Sequence, residues 1–249
     1  MWGIVPAAGV GSRIQPLAFS KELLPVGSRL VGDAERPRAV SEYLVERMVL
    51  GGADRICFVI APGKSDILEY YGNRSMPAHI SYTVQQKPAG LCDAVFQALP
   101  LIPPGEFVIV GLPDTIWFPE DALRALGDDP LSFLLFPVNR PERFDAVLTD
   151  SDGAVRKICV KQPNPGSPWI WGAFKLSGQT MRDLYDLSVE RNRTDEYIGT
   201  LVNAYLERGG HAVGIRAGET YVDVGTLHGY REAIRVLSSR PASSAGVLT

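Results

Sequence analysis

The chain has 249 residues, 45% hydrophobic and 21% charged, ordinary values for a globular protein of one large or two small domains. A net charge of −3 supplies no general attraction for nucleic acid, and no apolar run is long enough to span a bilayer, so neither nucleic acid nor membrane is an expected partner. Three scattered cysteines without a C-x-x-C pair and three histidines without ligand spacing speak against a disulfide framework and a histidine metal centre. With no secretory pattern at the N-terminus, a cytoplasmic protein is the expectation.

Residues 4–8 form an apolar run that reads as a buried strand, followed by a loop of small residues. Residues 28–38 are polar and read as irregular. Apolar side chains at Val40, Leu44, Val45, Met48 and Val49 have the spacing of an amphipathic helix over 40–50, stopped by Gly51 and Gly52. A buried strand over 55–61, a helix over 64–71, a strand over 80–84, a helix over 91–99 and an apolar strand over 107–110 follow. This alternation predicts an α/β fold, a Rossmann-like and mostly parallel central sheet with helices on both faces. From about residue 131 the rhythm changes to a β-rich half, with strands over 132–138, 146–149, 155–160 and 170–176 and Asp152-Gly153 as a hairpin turn. Helices over 178–191 and 195–208, strands over 211–216 and 219–222, and a last helix over 226–237 complete the reading.

The chemistry gathers where strands end. Gly9 and Gly11 in Gly9-Val10-Gly11-Ser12-Arg13 allow positive φ and close approach of backbone to a ligand, and a loop from Ala8 to Ser12 after a strand offers N–H groups to phosphate. Arg13 and Lys21 place two cations on the same loop. Gln85 follows another strand and heads the segment Gln85-Gln86-Lys87-Pro88-Ala89-Gly90-Leu91; its amide can both donate and accept, and Gly90 lets the backbone approach a ligand closely. Asp114 follows a third strand, where a carboxylate can hold Mg²⁺ against nucleotide phosphates. Ligands of open α/β sheets bind outside the carboxyl ends of the strands, and these three segments occupy equivalent places there.

The glycine loop, read together with Ser20-Lys21-Glu22-Leu23-Leu24-Pro25, resembles the signature of the sugar-1-phosphate nucleotidylyltransferases, and the similarity runs from Trp2 to about Ala233. Leu112-Pro113-Asp114 looks more like the glucose-1-phosphate uridylyltransferases than the thymidylyltransferases, and Asp223-Val224-Gly225-Thr226 is similar to the family's late D-x-G-T motif. The resemblance implies the nucleotide-diphospho-sugar transferase fold and condensation of dTTP or UTP with a hexose 1-phosphate such as glucose 1-phosphate. It implies Arg13 and Lys21 as catalytic cations, Asp114 and Asp223 as ligands of a Mg²⁺ cofactor, and Ala8, Gly9, Gly11, Ser12, Gln85 and Gly90 as nucleotide contacts. One domain over 1–238 is expected, with a nucleotide-binding half over 1–130, a sugar-phosphate half over 131–238 and a flexible tail over 239–249; a homo-oligomer is expected as well.

Lys161-Gln162-Pro163 and Gly172 align with the family's E-K-P segment and the glycine after it, but Lys161 stands where the Glu is expected and Gln162 where the Lys is. Adjacent strand residues face opposite ways, so the exchange is not equivalent. Lys161, Gly172 and Arg193 are the expected sugar-phosphate contacts, and the sugar is left open. Two alternatives stand beside this reading: a purine-specific enzyme, and a nucleotide-sugar-binding or regulatory protein without turnover. A dinucleotide-binding oxidoreductase fits less well, because Ile14 occupies the place of the third glycine of G-x-G-x-x-G.

Overall fold

The structure is a computed structural model that describes residues 1–72 and 76–240. Most of the tail expected over 239–249 lies outside the described residues. In chain order the elements are β1 (Trp2–Pro6), β2 (Pro25–Val31), β3 (Ala34–Ala39), α1 (Val40–Leu50), β4 (Arg55–Ile60), α2 (Ser65–Gly72), β5 (His79–Val84), α3 (Gly90–Phe96), β6 (Phe107–Gly111) and β7 (Thr115–Phe118). The second half continues with β8 (Leu131–Pro137), β9 (Asp145–Thr149), β10 (Val155–Val160), β11 (Trp169–Ser177), α4 (Gly178–Glu190), α5 (Ile198–Glu207), β12 (Val213–Ile215), β13 (Thr220–Asp223) and α6 (Leu227–Ser238).

The main sheet runs β10-β9-β11-β6-β1-β4-β5, with β8 joining β11 and β12 joining β8. Its first-half strands β6, β1, β4 and β5 are parallel. Such strands are covered on both faces, which is why Ile56-Cys57-Phe58-Val59-Ile60 is a continuous apolar run rather than an alternating one. Leu44, Val45 and Met48 of α1 and Ile67 of α2 pack with Ile56 and Phe58 on one face. Val95 of α3, Met181 and Leu184 of α4 and Leu201 of α5 pack with Ile4, Cys57 and Val110 on the other. Strand β11 is antiparallel to β6, and β9 and β10 follow antiparallel beyond it, so the starts of β11 and β9 and the end of β10 reach the same sheet edge as the ends of β1 and β6. No described helix is long and apolar enough to cross a membrane.

Three parts of the fold differ from the sequence reading. The stretch over 28–38 is not irregular: it belongs to the β2–β3 hairpin, whose polar side chains hide the period-2 pattern because much of it is exposed. Helix α1 has the expected bounds but is buried all round rather than amphipathic. The hairpin and β7 cover its polar side: Arg38 of β3 pairs with Glu46, and Arg47 donates to the carbonyls of Trp117 (2.9 Å) and Tyr43 (2.8 Å). Burial, with the nearby charge of Arg38, pushes the Arg47 guanidinium down to about 10. Finally, β7 has no counterpart in the sequence reading. It pairs antiparallel with β13, and with α6 and the hairpin it closes a third core of Val26, Tyr43, Ile116, Phe118, Val222 and Ala233.

Candidate active site

The loop after β1 is held from beneath by one lysine. Lys64 Nζ donates to the carbonyls of Ala7 (2.6 Å) and Gly9 (2.8 Å) and to both carboxylate oxygens of Glu22 (2.9 Å each). Glu22 is fully buried; burial pushes its carboxyl up against the opposing pull of Lys64 and Lys21. Two turns of the same loop are thus fastened to one ammonium, and Ala8 is buried between them while Gly9 and Ser12 are exposed. Lys64 is absent from the residues expected from sequence; a single lysine ahead of a helix has no motif to mark it.

Gly11 has φ +70°, and a Cβ there would sit 2.7 Å from Lys21 Cδ. The bare backbone is therefore the surface along which the Lys21 stem lies. Lys21 Nζ ends 2.6 Å from Asp114 Oδ2, and Arg13 Nη1 ends 2.9 Å from Asp223 Oδ2. Burial alone lowers the Lys21 pKa, but Asp114, Glu22 and Asp223 outweigh it and hold the ammonium above the ordinary lysine value. Arg13 is 61% exposed, so its pair adds little stability.

The unexpected strand β7 explains how acids so far apart in sequence meet. The β7–β13 register sets Asp223 opposite Thr115, next to Asp114, and the Val224 N–H donates to the Asp114 carbonyl (2.8 Å). Gly225 N–H donates to Asp223 Oδ1 at 2.9 Å. A Cβ on Gly225 would lie 2.8 Å from Asp114 Oδ2, 2.9 Å from Asp223 Oδ1 and 3.1 Å from Arg13 Nη2. Both acids and one cation thus border a single point. Among the described residues no group of three or more His, Cys, Asp or Glu is placed to hold a metal. Two carboxylates completed by phosphate oxygens and water is the donor set that suits Mg²⁺.

The other expected residues divide. Gln85 Nε2 donates to Asp93 Oδ2 (2.8 Å) and to the Gly90 carbonyl (3.2 Å), leaving Oε1 outside these bonds. Gly90 has φ +84°, and the space its Cβ would need is filled by Glu196, whose Cα would be 2.6 Å away, so a close approach of the chain before α5 also requires glycine here. Arg193 donates to Tyr185 Oη (2.7 Å) and lies 4.0 Å from Asp93, which ties it to Gln85 through a shared acid. Lys161 donates to Tyr197 Oη at 3.2 Å and covers its ring. Gly172 is the residue at which the β11–β8 register shifts, and a Cβ there would meet Phe136 at 2.5 Å and Tyr221 at 2.8 Å, so its smallness serves packing. Cys92 is buried, and burial, with Asp195 and Asp93 nearby, pushes its thiol up to about 12, which leaves no thiolate at neutral pH.

A family model described as Nucleotidyl transferase matches residues 2–240. The chain belongs to the nucleotidyl transferase family. Among relatives of this nucleotidyl transferase, the UTP–glucose-1-phosphate uridylyltransferase AglF of Haloferax volcanii is 22% identical over 231 residues, 90% of this chain and 91% of its own. The UTP–glucose-1-phosphate uridylyltransferase of Bacillus subtilis is 28% identical over 150 residues, 51% of this chain and 48% of its own. The fold is that of a solved Bacillus anthracis protein assigned as a glucose-1-phosphate thymidylyltransferase (TM-score 0.80, 21% identity, 97% of each chain). It is also that of a UTP-bound UGPase from Acinetobacter baumannii (TM-score 0.77, 20% identity, 98% of this chain and 95% of that one).

Proposed function

We propose that this nucleotidyl transferase condenses a pyrimidine nucleoside triphosphate, UTP or dTTP, with a hexose 1-phosphate such as glucose 1-phosphate, giving a nucleotide-diphosphate sugar and pyrophosphate. The observation that carries the reading is the meeting of Lys21–Asp114 and Arg13–Asp223 around Gly225, at the carboxyl ends of β1 and β6. An oxygen of the sugar phosphate attacks the α-phosphorus in line, the bond from that phosphorus to the bridging α–β oxygen breaks, and pyrophosphate leaves with the electron pair. The attacking oxygen is already anionic, so no protein nucleophile is needed, and positioning with charge neutralisation supplies the rate.

Lys21 bridges the α-phosphate and the sugar phosphate, two anions that otherwise repel, and Arg13 takes the charge that builds on the leaving pyrophosphate. A triphosphate that takes Lys21 and Arg13 releases Asp114 and Asp223 as oxygen donors, and these two residues would hold Mg²⁺. When bound, Mg²⁺ screens phosphate charge and polarises the phosphoryl oxygens. Gln85 reads the base through its remaining acceptor. In this reading residues 1–130 carry the nucleotide and 131–238 the sugar phosphate within one domain.

The test is pyrophosphate release across a panel of triphosphates and sugar 1-phosphates with Mg²⁺ present. Turnover is expected with UTP or dTTP and to need both substrates. Turnover confined to ATP or GTP contradicts the pyrimidine assignment; nucleotide binding without turnover across the panel contradicts the enzymatic one.

A further inference from the structure

The start of α2 sends two side chains into the loop after β1. Lys64 Nζ holds the outgoing leg at the Ala7 and Gly9 carbonyls and the returning leg at the Glu22 carboxylate. Asp66, in the first turn of α2, holds the returning leg at Ser20: Oδ2 accepts from the Ser20 N–H at 2.6 Å and Oδ1 from its hydroxyl at 2.7 Å. Oδ1 also accepts from the Ile67 N–H at 3.0 Å, which ties the carboxylate to its own helix. A carboxylate is favoured at a helix N-terminus, and charge-assisted bonds are the stronger kind. Ser20 is 8% exposed and Glu22 fully buried, so water does not screen these bonds as it screens surface pairs. The two gripped residues flank Lys21 on either side. Arg13 lies between the grips, on the part of the loop that neither touches, with its side chain 61% exposed.

We propose that Lys64 and Asp66 are positioning residues for Lys21, fixing the backbone from which its ammonium is aimed. This rests on the role given to Lys21 in the function proposed above. A lysine stem is flexible, so its ammonium keeps one place only if the chain beneath it is held. Positioned groups of an active site need to be held to within about 0.5 Å. Two of the contacts on Lys21 cannot do this alone. Gly11 supports one side of the stem, and Asp114 holds its end, but a triphosphate that draws Lys21 away ends the contact with Asp114. The grips on Ser20 and Glu22 do not depend on where Nζ points, so they remain the fixed reference as it moves. Lys64 itself is no phosphate contact: an ammonium has only three N–H donors, and the Ala7 and Gly9 carbonyls and both Glu22 oxygens already surround it.

The test is a pair of double-mutant cycles on kcat, Asp66→Ala with Lys21→Ala and Asp66→Ala with Arg13→Ala. Asp66→Ala alone is expected to lower kcat by about 10–100-fold, approaching the cost of a misplacement of about 1 Å. In the Lys21→Ala background the same substitution is expected to change kcat by less than about twofold, because the group it positions is gone. In the Arg13→Ala background it is expected to keep its full effect, which a general loosening of the loop does not allow. Ser20→Ala removes one of the two bonds to Asp66; a smaller drop with the same pattern is expected, and this variant carries the cycles where Asp66→Ala fails to fold. Lys64→Met strands the buried Glu22 carboxylate, so it is made together with Glu22→Gln, and that variant is expected to couple to Lys21 as Asp66→Ala does. Equal losses in all three backgrounds, or turnover within about threefold of wild type in a folded Asp66→Ala protein, overturns the proposal. Absence of turnover by wild type with every sugar 1-phosphate overturns the parent reading alone. The same cycles read on UTP affinity by calorimetry then decide: a loss that vanishes in the Lys21→Ala background supports the positioning role, and an equal loss in every background overturns it.

Discussion

Replacing Lys21 by alanine is expected to lower kcat by about 10²–10³, the scale of losing one preorganised electrostatic contact to the transition state. The side chain is mostly buried against Gly11, and its charge is shared among Asp114, Glu22 and Asp223. The raised pKa keeps the ammonium charged through the neutral range. The pairing adds stability that is complete below the unfolded lysine value and fades only as pH rises through the higher folded one. Removing Lys21 also leaves the buried Asp114 carboxylate without its 2.6 Å partner, which costs stability independently of catalysis. Lys21→Ala combined with Asp114→Asn relieves that strain and is expected to recover the melting temperature but not the activity. Near wild-type turnover in a folded Lys21→Ala protein refutes the role.

The second large effect is expected from adding one methyl group. Gly225 has no positive φ to forbid alanine, so Gly225→Ala is a steric probe and not a backbone one. The new Cβ falls within 3 Å of both acids and 3.1 Å of Arg13, so the carboxylates must be displaced from the point they border. Misplacement by about 1 Å in a positioned site costs on the order of 10²-fold in rate. The thermal transition is expected to move little while kcat/KM falls by about that factor. Activity within about threefold of wild type means that the space between Asp114 and Asp223 is not where the chemistry occurs.

Arg13, Lys21 and Asp114 were legible in the sequence as two cations beyond a glycine loop and an acid after an apolar strand, and Asp223 only through its resemblance to the family's late D-x-G-T motif. How the acids meet was not. Thr115-Ile116-Trp117-Phe118 lies between a turn aspartate and Pro119 and is too short for a periodic signal, yet as β7 it fixes Asp223 beside Asp114. The polarity of Glu42, Glu46 and Arg47 predicts a water-facing side of α1, but long-range cover from the hairpin overrides that local pattern. Gly90 and Gly172 are expected from sequence as ligand contacts; sequence cannot tell that Glu196, and Phe136 with Tyr221, fill the space a Cβ would need at these two positions.

The central claim is that two cation–acid pairs trade partners for a triphosphate and a divalent ion at one point. Triphosphate affinity, measured by calorimetry with excess Mg²⁺ and again in metal-free buffer, tests it most directly. Arg13→Ala and Lys21→Ala are expected to weaken binding in both buffers. Asp114→Asn and Asp223→Asn are expected to weaken it only with Mg²⁺, and to leave it unchanged or tighter without the metal, because each acid then only competes with the phosphates for a cation. Acid substitutions that act with the same sign and size in both buffers, or cation substitutions that leave affinity unchanged, contradict the account.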